Sequence, residues 1–457
     1  MPIHASRRSC APCRRAAAAL LLAWLAAVPA QAQLRLPGGL GGLPSLPGNL
    51  GPLPPLRPAE SLLVNVPLQE LRQRTLRDLL RRHADVLEAD PAGEPVLRSE
   101  LLLVSPSPST LAAAIAQGFR VLREQALDGL DERTVVLAPP RGLTTAAGLA
   151  RLRALDPALD ADFNHLYTRS GSVEGPVSNA TVAGSAAAAG DLRRVGLIDS
   201  GIEATHPALR RADLKLWGCD GAPVASPHGT AVASLLVGRD GAFVGTAPSA
   251  TLFAADVYCG RATGGSVEAV AQALAWMARE RVAVVNISLV GPANRLLERA
   301  VQAMAARGHL IVAAVGNDGP AAPPLYPASY ADVVGVTGVS VAHKVLPEAA
   351  QGPQVAFAAP GAELAAAQSG AAGYGVVRGT SFAAPLVAGL LSAALREPDL
   401  AAARNALRTL SDRATDLGTP GRDPVYGWGL VGEQARIDPT RLNERRSADR
   451  SSNGVGP

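Results

Sequence analysis

Short apolar runs alternate with amphipathic segments along the second half of the chain. The runs end in Asp, Gly or Asn, and they read RRVGLIDSG, ATLFAADVY, VAVVNISLV, HLIVAAVGN and DVVGVTGVS. Two segments between them, SVEAVAQALAWMARE and RLLERAVQAMAARG, place apolar residues at helical spacing. Continuous apolar strands separated by helices predict an α/β fold with a doubly wound, mostly parallel sheet that is covered on both faces. Catalytic residues of such sheets gather at the carboxyl ends of the strands.

The segment before this region has a shorter alternation. ELLLVSP, RVLREQAL, RTVVLAPP and ADFNHLYT predict strands, and TLAAAIAQG and TTAAGLARLRAL predict helices. Their βαββαβ order predicts a small ferredoxin-like α+β domain at residues 99–168. Upstream, Leu68 to Asp90 has apolar residues at helical spacing and predicts one amphipathic helix. Residues 33–58 are rich in Gly and Pro, which predicts a linker.

The first 32 residues have the features of a secretory signal peptide. Four arginines precede the apolar stretch AAAALLLAWLAAV, and Ala30-Gln31-Ala32 fits a cleavage site between small residues. A membrane anchor is the alternative, but the apolar core is short for a bilayer span. We therefore expect export, to the periplasm or the extracellular space, with no stable membrane insertion once the signal is removed.

Net charge gives no support for a nucleic-acid partner. The chain has 43 Lys and Arg against 39 Asp and Glu, and the four arginines of the signal peptide account for the whole excess. The remaining chain is neutral, without the basic surplus that nucleic-acid binding uses. We expect a monomer that acts on polypeptides.

Two of the four cysteines leave with the signal peptide. Cys10 and Cys13 lie within it, so their C-x-x-C spacing does not indicate a metal or redox site. Cys219 and Cys259 remain as an even pair in an exported protein, which predicts one disulfide between them. Two separate buried thiols are the alternative, because pairing requires a closeness that sequence does not show.

These patterns divide the chain into six segments. In order they are a signal peptide, a linker with one helix, a ferredoxin-like domain, a flexible processing linker, an α/β domain and a polar tail, at residues 1–32, 33–98, 99–168, 169–190, 191–436 and 437–457. The Gly, Ala and Ser composition of residues 170–190 is typical of an exposed segment that a protease can reach.

Four polar residues follow strands or begin helices of the predicted α/β domain. Taken alone, Asp199 fits a strand-end cap, His228 a structural residue, Asn317 a turn and Ser381 a helix N-cap. Together they supply a different chemistry. A serine hydroxyl needs a base to remove its proton, and the base needs a carboxylate that fixes its tautomer. The order Asp, His, Ser is one of the orders known for this triad.

The motifs around these residues resemble the subtilisin-like serine proteases, or subtilases. VGLIDSGIEATHPAL, PHGTAVASLLVG and RGTSFAAPLVAGLL resemble the Asp, His and Ser motifs of that family, and AAVGNDG resembles its oxyanion segment. The resemblance covers about residues 190–435. It implies that Ser381 is the nucleophile, His228 the general base and Asp199 the orienting carboxylate. It also implies that Asn317 donates its side-chain amide to the oxyanion.

The same resemblance implies a peptide-binding strand at Ser288, Leu289 and Val290, in VVNISLVG. Val290 stands where the family commonly has glycine, and Leu325 is expected at the floor of the primary specificity pocket. We therefore expect small or medium apolar side chains before the cleaved bond. The reaction implies no cofactor. Calcium, which family members often bind, stays undecided because the sequence has no dense carboxylate loop.

The domain at residues 99–168 resembles the propeptide of subtilases, an intramolecular inhibitor and folding chaperone. Its last strand, ADFNHLYT, is expected to run toward the active site, with autoproteolysis between about Arg169 and Ala189. The sequence therefore predicts a secreted serine endopeptidase made as a zymogen. An esterase is one alternative, although the G-x-S-x-G elbow is absent around Ser381. A peptide-binding protein that keeps the fold without turnover is the other.

Overall fold

The computed structural model describes residues 68–169, 172–177, 193–370, 373–440 and 442, with only the backbone described at 172–177. The predicted signal peptide and the Gly/Pro-rich linker lie outside these residues. Residues 178–190 of the predicted processing linker, residues 191 and 192, and residues 443–457 of the predicted tail also lie outside them.

The N-terminal part forms a small sheet with two helices on one face. Its elements in chain order are α1 (Leu68–Arg82), β1 (Leu87–Ala89), β2 (Pro95–Val104), α2 (Pro108–Ala116), β3 (Arg120–Leu127), β4 (Glu132–Ala138), α3 (Thr145–Leu155) and β5 (Ala161–Arg169). The strands are antiparallel neighbours in the order β5-β2-β4-β3. Alternate residues face opposite sides, so Leu101 and Leu103 pack with α2 and α3 while Leu102 and Val104 pack on the following domain.

The predicted helix from Leu68 to Asp90 is too long. α1 ends at Arg82, and Leu87–Ala89 forms strand β1, which pairs antiparallel with β2. The side chain of Leu87 is buried against Leu79 and Leu166. Burial of that leucine and pairing with a sheet edge therefore override the helical spacing, which is a weak preference when tertiary contacts compete.

The processing linker contains a strand that the sequence did not predict. β6 (Ser172–Val177) follows β5 after two residues and pairs antiparallel with a later strand of the α/β domain. The flexible segment expected at residues 169–190 is therefore wrong over β6. Backbone hydrogen bonds to a sheet edge hold this stretch, although its Gly and Pro are unfavourable in strand interiors.

The α/β domain contributes the remaining elements. In chain order they are β7 (Arg194–Asp199), β8 (Leu214–Trp217), α4 (Pro227–Val237), β9 (Arg239–Asp240), β10 (Phe243–Val244), β11 (Thr251–Asp256), β12 (Gly265–Ser266), α5 (Val267–Arg279), β13 (Val284–Ile287), β14 (Leu289–Val290), α6 (Arg295–Ala306), β15 (Leu310–Ala314), β16 (Val333–Val339), β17 (Val355–Pro360), β18 (Leu364–Gln368), β19 (Gly373–Arg378), α7 (Thr380–Ala394) and α8 (Leu400–Asp412).

Seven of these strands form one parallel sheet in the order β17-β16-β15-β13-β7-β11-β8. Alternate residues point to opposite faces, as Leu197 and Ile198 of β7 show. Leu197 packs in the core under α4 and α7, and Ile198 packs in the core under α5 and α6. The doubly wound parallel α/β sheet is confirmed, with β8 and β17 added to the five strands predicted from apolar runs.

The polar tail predicted from residue 437 begins inside the fold. Ile437 and Leu442 are buried in the core beneath α7, and the Ile437 carbonyl accepts a hydrogen bond from the Ala365 amide. The prediction of a polar tail is therefore wrong for these residues, since two apolar side chains in a polar background are enough to anchor the chain. Among the described helices, none is long and apolar enough to cross a membrane.

Candidate active site

Three chain elements bring the predicted triad residues to one edge of the sheet. Asp199 is the last residue of β7, His228 lies in the first turn of α4, and Ser381 lies in the first turn of α7. Gly229 allows the close approach of α4, because a Cβ at this position would overlap the Ser200 carbonyl oxygen. The packing thus fixes the base beside the end of the strand that carries the carboxylate.

Asp199 and His228 form a buried pair. The imidazole Nδ1 lies 3.0 Å from each carboxylate oxygen of Asp199. The amide and hydroxyl of Ser200 donate to Asp199 Oδ1 at 2.6 and 2.9 Å, so the carboxylate is held by three donor groups. With a proton on Nδ1, the Nε2 atom is the acceptor. This Nε2 is buried and has no hydrogen-bond partner among the described residues.

Ser381 makes no hydrogen bond to His228 Nε2, which has no partner among the described residues. Its side chain is fully buried, and its hydroxyl donates to the Ser288 carbonyl at 3.4 Å. The following residue, Phe382, packs against the imidazole of His228 with ring centroids 5.3 Å apart. Catalytic hydrogen bonds are often long or misaligned in free enzymes and tighten when substrate binds. The absence of a Ser381–His228 hydrogen bond is therefore compatible with the predicted triad, whose catalytic role stays a prediction.

Asn317 is positioned by the residue that precedes Ser381. The Thr380 amide donates to Asn317 Oδ1 at 3.1 Å, and the Thr380 hydroxyl accepts from the Gly316 amide at 3.2 Å. These two hydrogen bonds join the loop after β15 to the start of α7. Since its oxygen accepts a hydrogen bond, the Asn317 side chain has its orientation fixed, which is what an oxyanion donor requires.

The predicted peptide-binding strand carries a peptide segment of this same chain. β5 pairs antiparallel with β14, where Thr168 lies opposite Val290 and Arg169 opposite Leu289. On its other edge β5 pairs with β12, where Tyr167 lies opposite Gly265. β5 therefore adds a middle strand between two edges of the α/β domain, which is recognition by β-augmentation.

Ser288 connects this strand to Ser381, the predicted nucleophile. Its hydroxyl donates to the Ser381 carbonyl at 3.0 Å and accepts from Asn286 Nδ2 at 2.9 Å. Ser172 of β6 lies opposite Arg378 of β19, three residues before Ser381 in the chain. Strand β5 thus pairs with the strand next to Ser288, and β6 pairs with the strand that leads into the helix of Ser381.

Leu325 and Val290, the predicted specificity residues, are both buried. The Leu325 side chain lies where a Cβ on Gly316 would stand, directly before Asn317. Tyr326, whose peptide bond to Pro327 is cis, forms an isolated antiparallel bridge with Gly291, directly after Val290. The structure thus joins the segment after Leu325 to the end of β14, and the expected preference for small or medium apolar residues stays a prediction.

The two remaining cysteines meet beside the site. Cys219 and Cys259 form a disulfide with Cα atoms 5.2 Å apart, and Asp256 lies next to both. Within the described ranges, these three residues are the only cluster of His, Cys, Asp and Glu side chains close enough to share a cation. The disulfide occupies both sulfurs, so the cluster does not offer a set of metal ligands.

Comparison with known proteins identifies the family. The sequence model of the subtilase family matches residues 193–429, just over half of the chain. This chain belongs to the subtilase family. Subtilisin Savinase from Lederbergia lenta is 34% identical over 248 residues, 53% of this chain and 89% of that protein. An alkaline protease from Shouchella clausii is also 34% identical over 248 residues, but the match spans 63% of its length.

The fold has a counterpart among solved structures of subtilases. Fervidolysin from Fervidobacterium pennivorans, described as a keratinolytic enzyme related to subtilisin, superposes with a TM-score of 0.60 at 19% identity. The superposition covers 76% of this chain and 62% of that one. At this identity the likeness concerns the fold alone. The family match and the subtilisin relatives place this subtilase among the serine-type endopeptidases.

Several residues that shape this subtilase site carry no signal in the sequence. Tyr258 and Ser226 contact the last residue of β5, and Glu268 of α5 is bound by Arg123 from the N-terminal domain. Each contact joins elements far apart in the chain, and no spacing rule connects them. Ser200 was the exception, because its place directly after Asp199 could have marked it as a partner of the carboxylate.

Proposed function

We propose that the chain is an exported serine endopeptidase that hydrolyses peptide bonds through Asp199, His228 and Ser381. The Asp199–His228 pair carries this proposal. It leaves His228 Nε2 as a buried acceptor without a partner among the described residues, and the His228 ring packs on Phe382, the residue after Ser381. His228 takes the proton of Ser381 as its oxygen attacks the carbonyl carbon of the substrate. Asp199 fixes the tautomer and stabilises the imidazolium that forms.

The tetrahedral intermediate needs donors for its negative oxygen. We propose that the Asn317 side-chain amide and the Ser381 backbone N–H supply them, and the start of α7 adds the positive end of a helix. His228 then gives its proton to the leaving amine, and water hydrolyses the acyl-enzyme by the same route. These steps use side chains and water, so we propose that the reaction needs no cofactor. Calcium is tested separately by dialysis against a chelator, with activity and Tm both measured.

The decisive experiment is proteolysis of casein by the purified protein beside its Ser381→Ala variant. A matched control is Ser392→Ala, because Ser392 is buried in the same helix and its hydroxyl donates to the Gly389 carbonyl of that helix. We expect Ser392→Ala to keep activity and Ser381→Ala to lose it. A fluorophosphonate probe should label the wild type and Ser392→Ala alone. Equal proteolysis by wild type and Ser381→Ala would overturn the assignment.

We further propose that the N-terminal domain is a propeptide that inhibits the protease until it is cut. Its strand β5 fills the groove between β12 and β14, so a substrate strand cannot enter while it is bound. The sequence places the cut between about Arg169 and Ala189. Strand β5 pairs with the strand next to Ser288, and β6 pairs with the strand that leads to Ser381, so we favour the start of that range, between Arg169 and Ser172.

Terminal sequencing tests both export and processing. We expect the secreted active enzyme to begin close after Arg169, and the Ser381→Ala precursor to keep the N-terminal domain. Recovery from culture medium or from a periplasmic fraction decides between the two destinations. An active enzyme that begins at Gln33 would contradict the maturation model but not the protease assignment.

A further inference from the structure

The end of β5 is a peptide bound in the groove of this protease, so its contacts describe subsites. Arg169 pairs with Leu289, and the next residue of the groove strand is Ser288, whose carbonyl accepts the Ser381 hydroxyl. In an antiparallel pair the register continues one residue at a time. Arg169 therefore pairs with the residue next to Ser288, one position from the carbonyl that accepts the Ser381 hydroxyl.

Alternation along β5 directs two of its side chains to the α/β domain. Tyr167 is fully buried, and its hydroxyl donates to the Pro292 carbonyl at 2.5 Å. Arg169, two residues later, faces the same side, as expected for a strand. Its guanidinium carbon lies 5.3 Å from the centre of the Tyr258 ring, and its Nη1 donates to Ser226 Oγ at 3.2 Å.

Tyr258 is well suited to receive a cation. Only 4% of the residue is exposed, and its buried hydroxyl has no hydrogen-bond partner among the described side chains and backbone. Burial raises the pKa of Tyr258 well above its usual value, and the nearby Asp199 carboxylate raises it further, whereas Arg169 lowers it. The ring is therefore neutral at ordinary pH and presents its electron-rich face to the guanidinium.

The carboxylates of Asp199 and Asp256 make the electrostatic potential near the Tyr258 ring favourable for a cation. Asp256 accepts the Tyr258 amide at 2.9 Å, and its field, like that of Asp199, acts on the Tyr258 hydroxyl. Ser226 is the N-cap residue of α4 and stands two residues before His228. Tyr258 and Ser226, the latter close in the chain to His228, thus contact the Arg169 guanidinium at the end of the strand β5 that occupies the groove.

We propose that Tyr258 and Ser226 form a subsite for a cationic side chain, so that the protease favours Arg at the substrate position that pairs with Leu289. The proposal rests on the proposed function and names a preference of the same site. Arg should exceed Lys, because a planar guanidinium stacks on an aromatic face while donating to a hydroxyl. Since the Arg169 side chain is partly in solvent, we expect an advantage of about three- to tenfold in kcat/KM.

Internally quenched peptides with the sequence of residues 163–175 test this preference. The residue at the Arg169 position is varied among Arg, Lys, citrulline, Leu and Glu, where citrulline keeps the shape of Arg without its charge. With the wild-type mature enzyme we expect Arg, then Lys, to exceed citrulline and Leu, and Glu to be the poorest. Mass spectrometry of the products confirms that the cut stays at one bond.

Two variants identify the residue that gives the preference. The ratio of kcat/KM for Arg against citrulline is compared within each enzyme, so a change of overall activity does not affect it. Tyr258→Phe keeps the ring and should keep the ratio, whereas Tyr258→Leu should lower it most. Ser226→Ala should lower it by a smaller amount.

The outcomes separate this proposal from the protease assignment. Equal cleavage of the Arg and citrulline peptides by the wild type would overturn the subsite and leave the protease intact. An undiminished ratio in Tyr258→Leu would assign the preference to other residues and also overturn it. If Tyr258→Leu fails to fold, two results test the subsite. They are the Arg-to-citrulline ratio of kcat/KM in the wild type and its decrease in Ser226→Ala. Cleavage of no peptide at all would contradict both proposals.

Discussion

If the N-terminal domain inhibits the protease as we propose, removal of the Arg123 side chain should weaken that inhibition. It lies on β3 and binds Glu100 of its own domain at 2.8 and 2.5 Å and Glu268 of the α/β domain at 2.9 and 3.2 Å. Asn164 donates to both carboxylates. The hydrogen bonds to Glu100 and then to Glu268 raise the pKa of Arg123, so this guanidinium is always charged.

The size of the effect follows from the burial of the two partners. The Glu268 side chain is 6% exposed and that of Arg123 is 34% exposed. Truncating one member of a buried, hydrogen-bonded charge pair across an interface costs about 2–5 kcal/mol. The exposure of Arg123 and the remaining donor Asn164 favour the lower limit, about 2 kcal/mol, which corresponds to a roughly 30-fold higher dissociation constant.

The assay uses the processed complex obtained from the full chain. Serial dilution releases the propeptide, and activity on a quenched peptide at each dilution gives the dissociation constant for wild type and Arg123→Ala. Arg133→Ala is the matched control, because Arg133 pairs with Glu124 inside the same domain. Equal constants for Arg123→Ala and wild type, or an equal increase in Arg133→Ala, would refute the reasoning.

Four further measurements test the site and its support. The mature protein should show no free thiol when unfolded, and replacing both Cys219 and Cys259 by Ser should lower the free energy of unfolding by up to about 4 kcal/mol, because the disulfide closes a loop of 40 residues. Asn317→Ala should reduce kcat by about 100- to 1000-fold with little change in KM. Asp199→Asn should reduce kcat by about 10⁴-fold, because the wrong imidazole tautomer is stabilised; an unchanged pH–rate profile with full activity would contradict this. Burial lowers the pKa of His206 below its unfolded value, near 6.5. Its contribution to the free energy of unfolding is therefore present above about pH 6.5 and is lost as the pH falls toward the folded pKa. Urea unfolding of His206→Gln should show a smaller decrease of this free energy over the same pH range.

The sequence was most informative where one local pattern determines one element. The five apolar runs became strands of the parallel sheet because each is long enough and buried on both faces. β8 was missed because Leu214–Trp217 lies at the sheet edge and is only partly buried. β17 was missed because AFAAP is small and Ala-rich, so its burial comes from neighbours and not from its own hydrophobicity.

Within the site, the sequence predicted which residues are present but not their contacts. Motif positions placed Asp199, His228 and Ser381 at element ends, where a parallel sheet gathers distant residues. The rotation of the Ser381 hydroxyl toward Ser288 depends on the approach of β14, which no local pattern encodes. The Arg123–Glu268 pair joins residues 145 positions apart on two separate domains, and charge alone does not select one glutamate among many.

Strand β6 has a consequence for the enzyme if the chain is cut as we propose. A break between Arg169 and Ser172 would leave β5 free to diffuse away, but β6 would stay covalently part of the mature chain, paired with β19, which ends three residues before Ser381. Loss of β5 depends on dilution, whereas the return of β6 is intramolecular and independent of protein concentration. Each new enzyme molecule would thus begin with its own leading segment tethered on the leaving-group side. Substrates long enough to extend past the cleaved bond must compete with that tether, and short peptides that end near the bond need not.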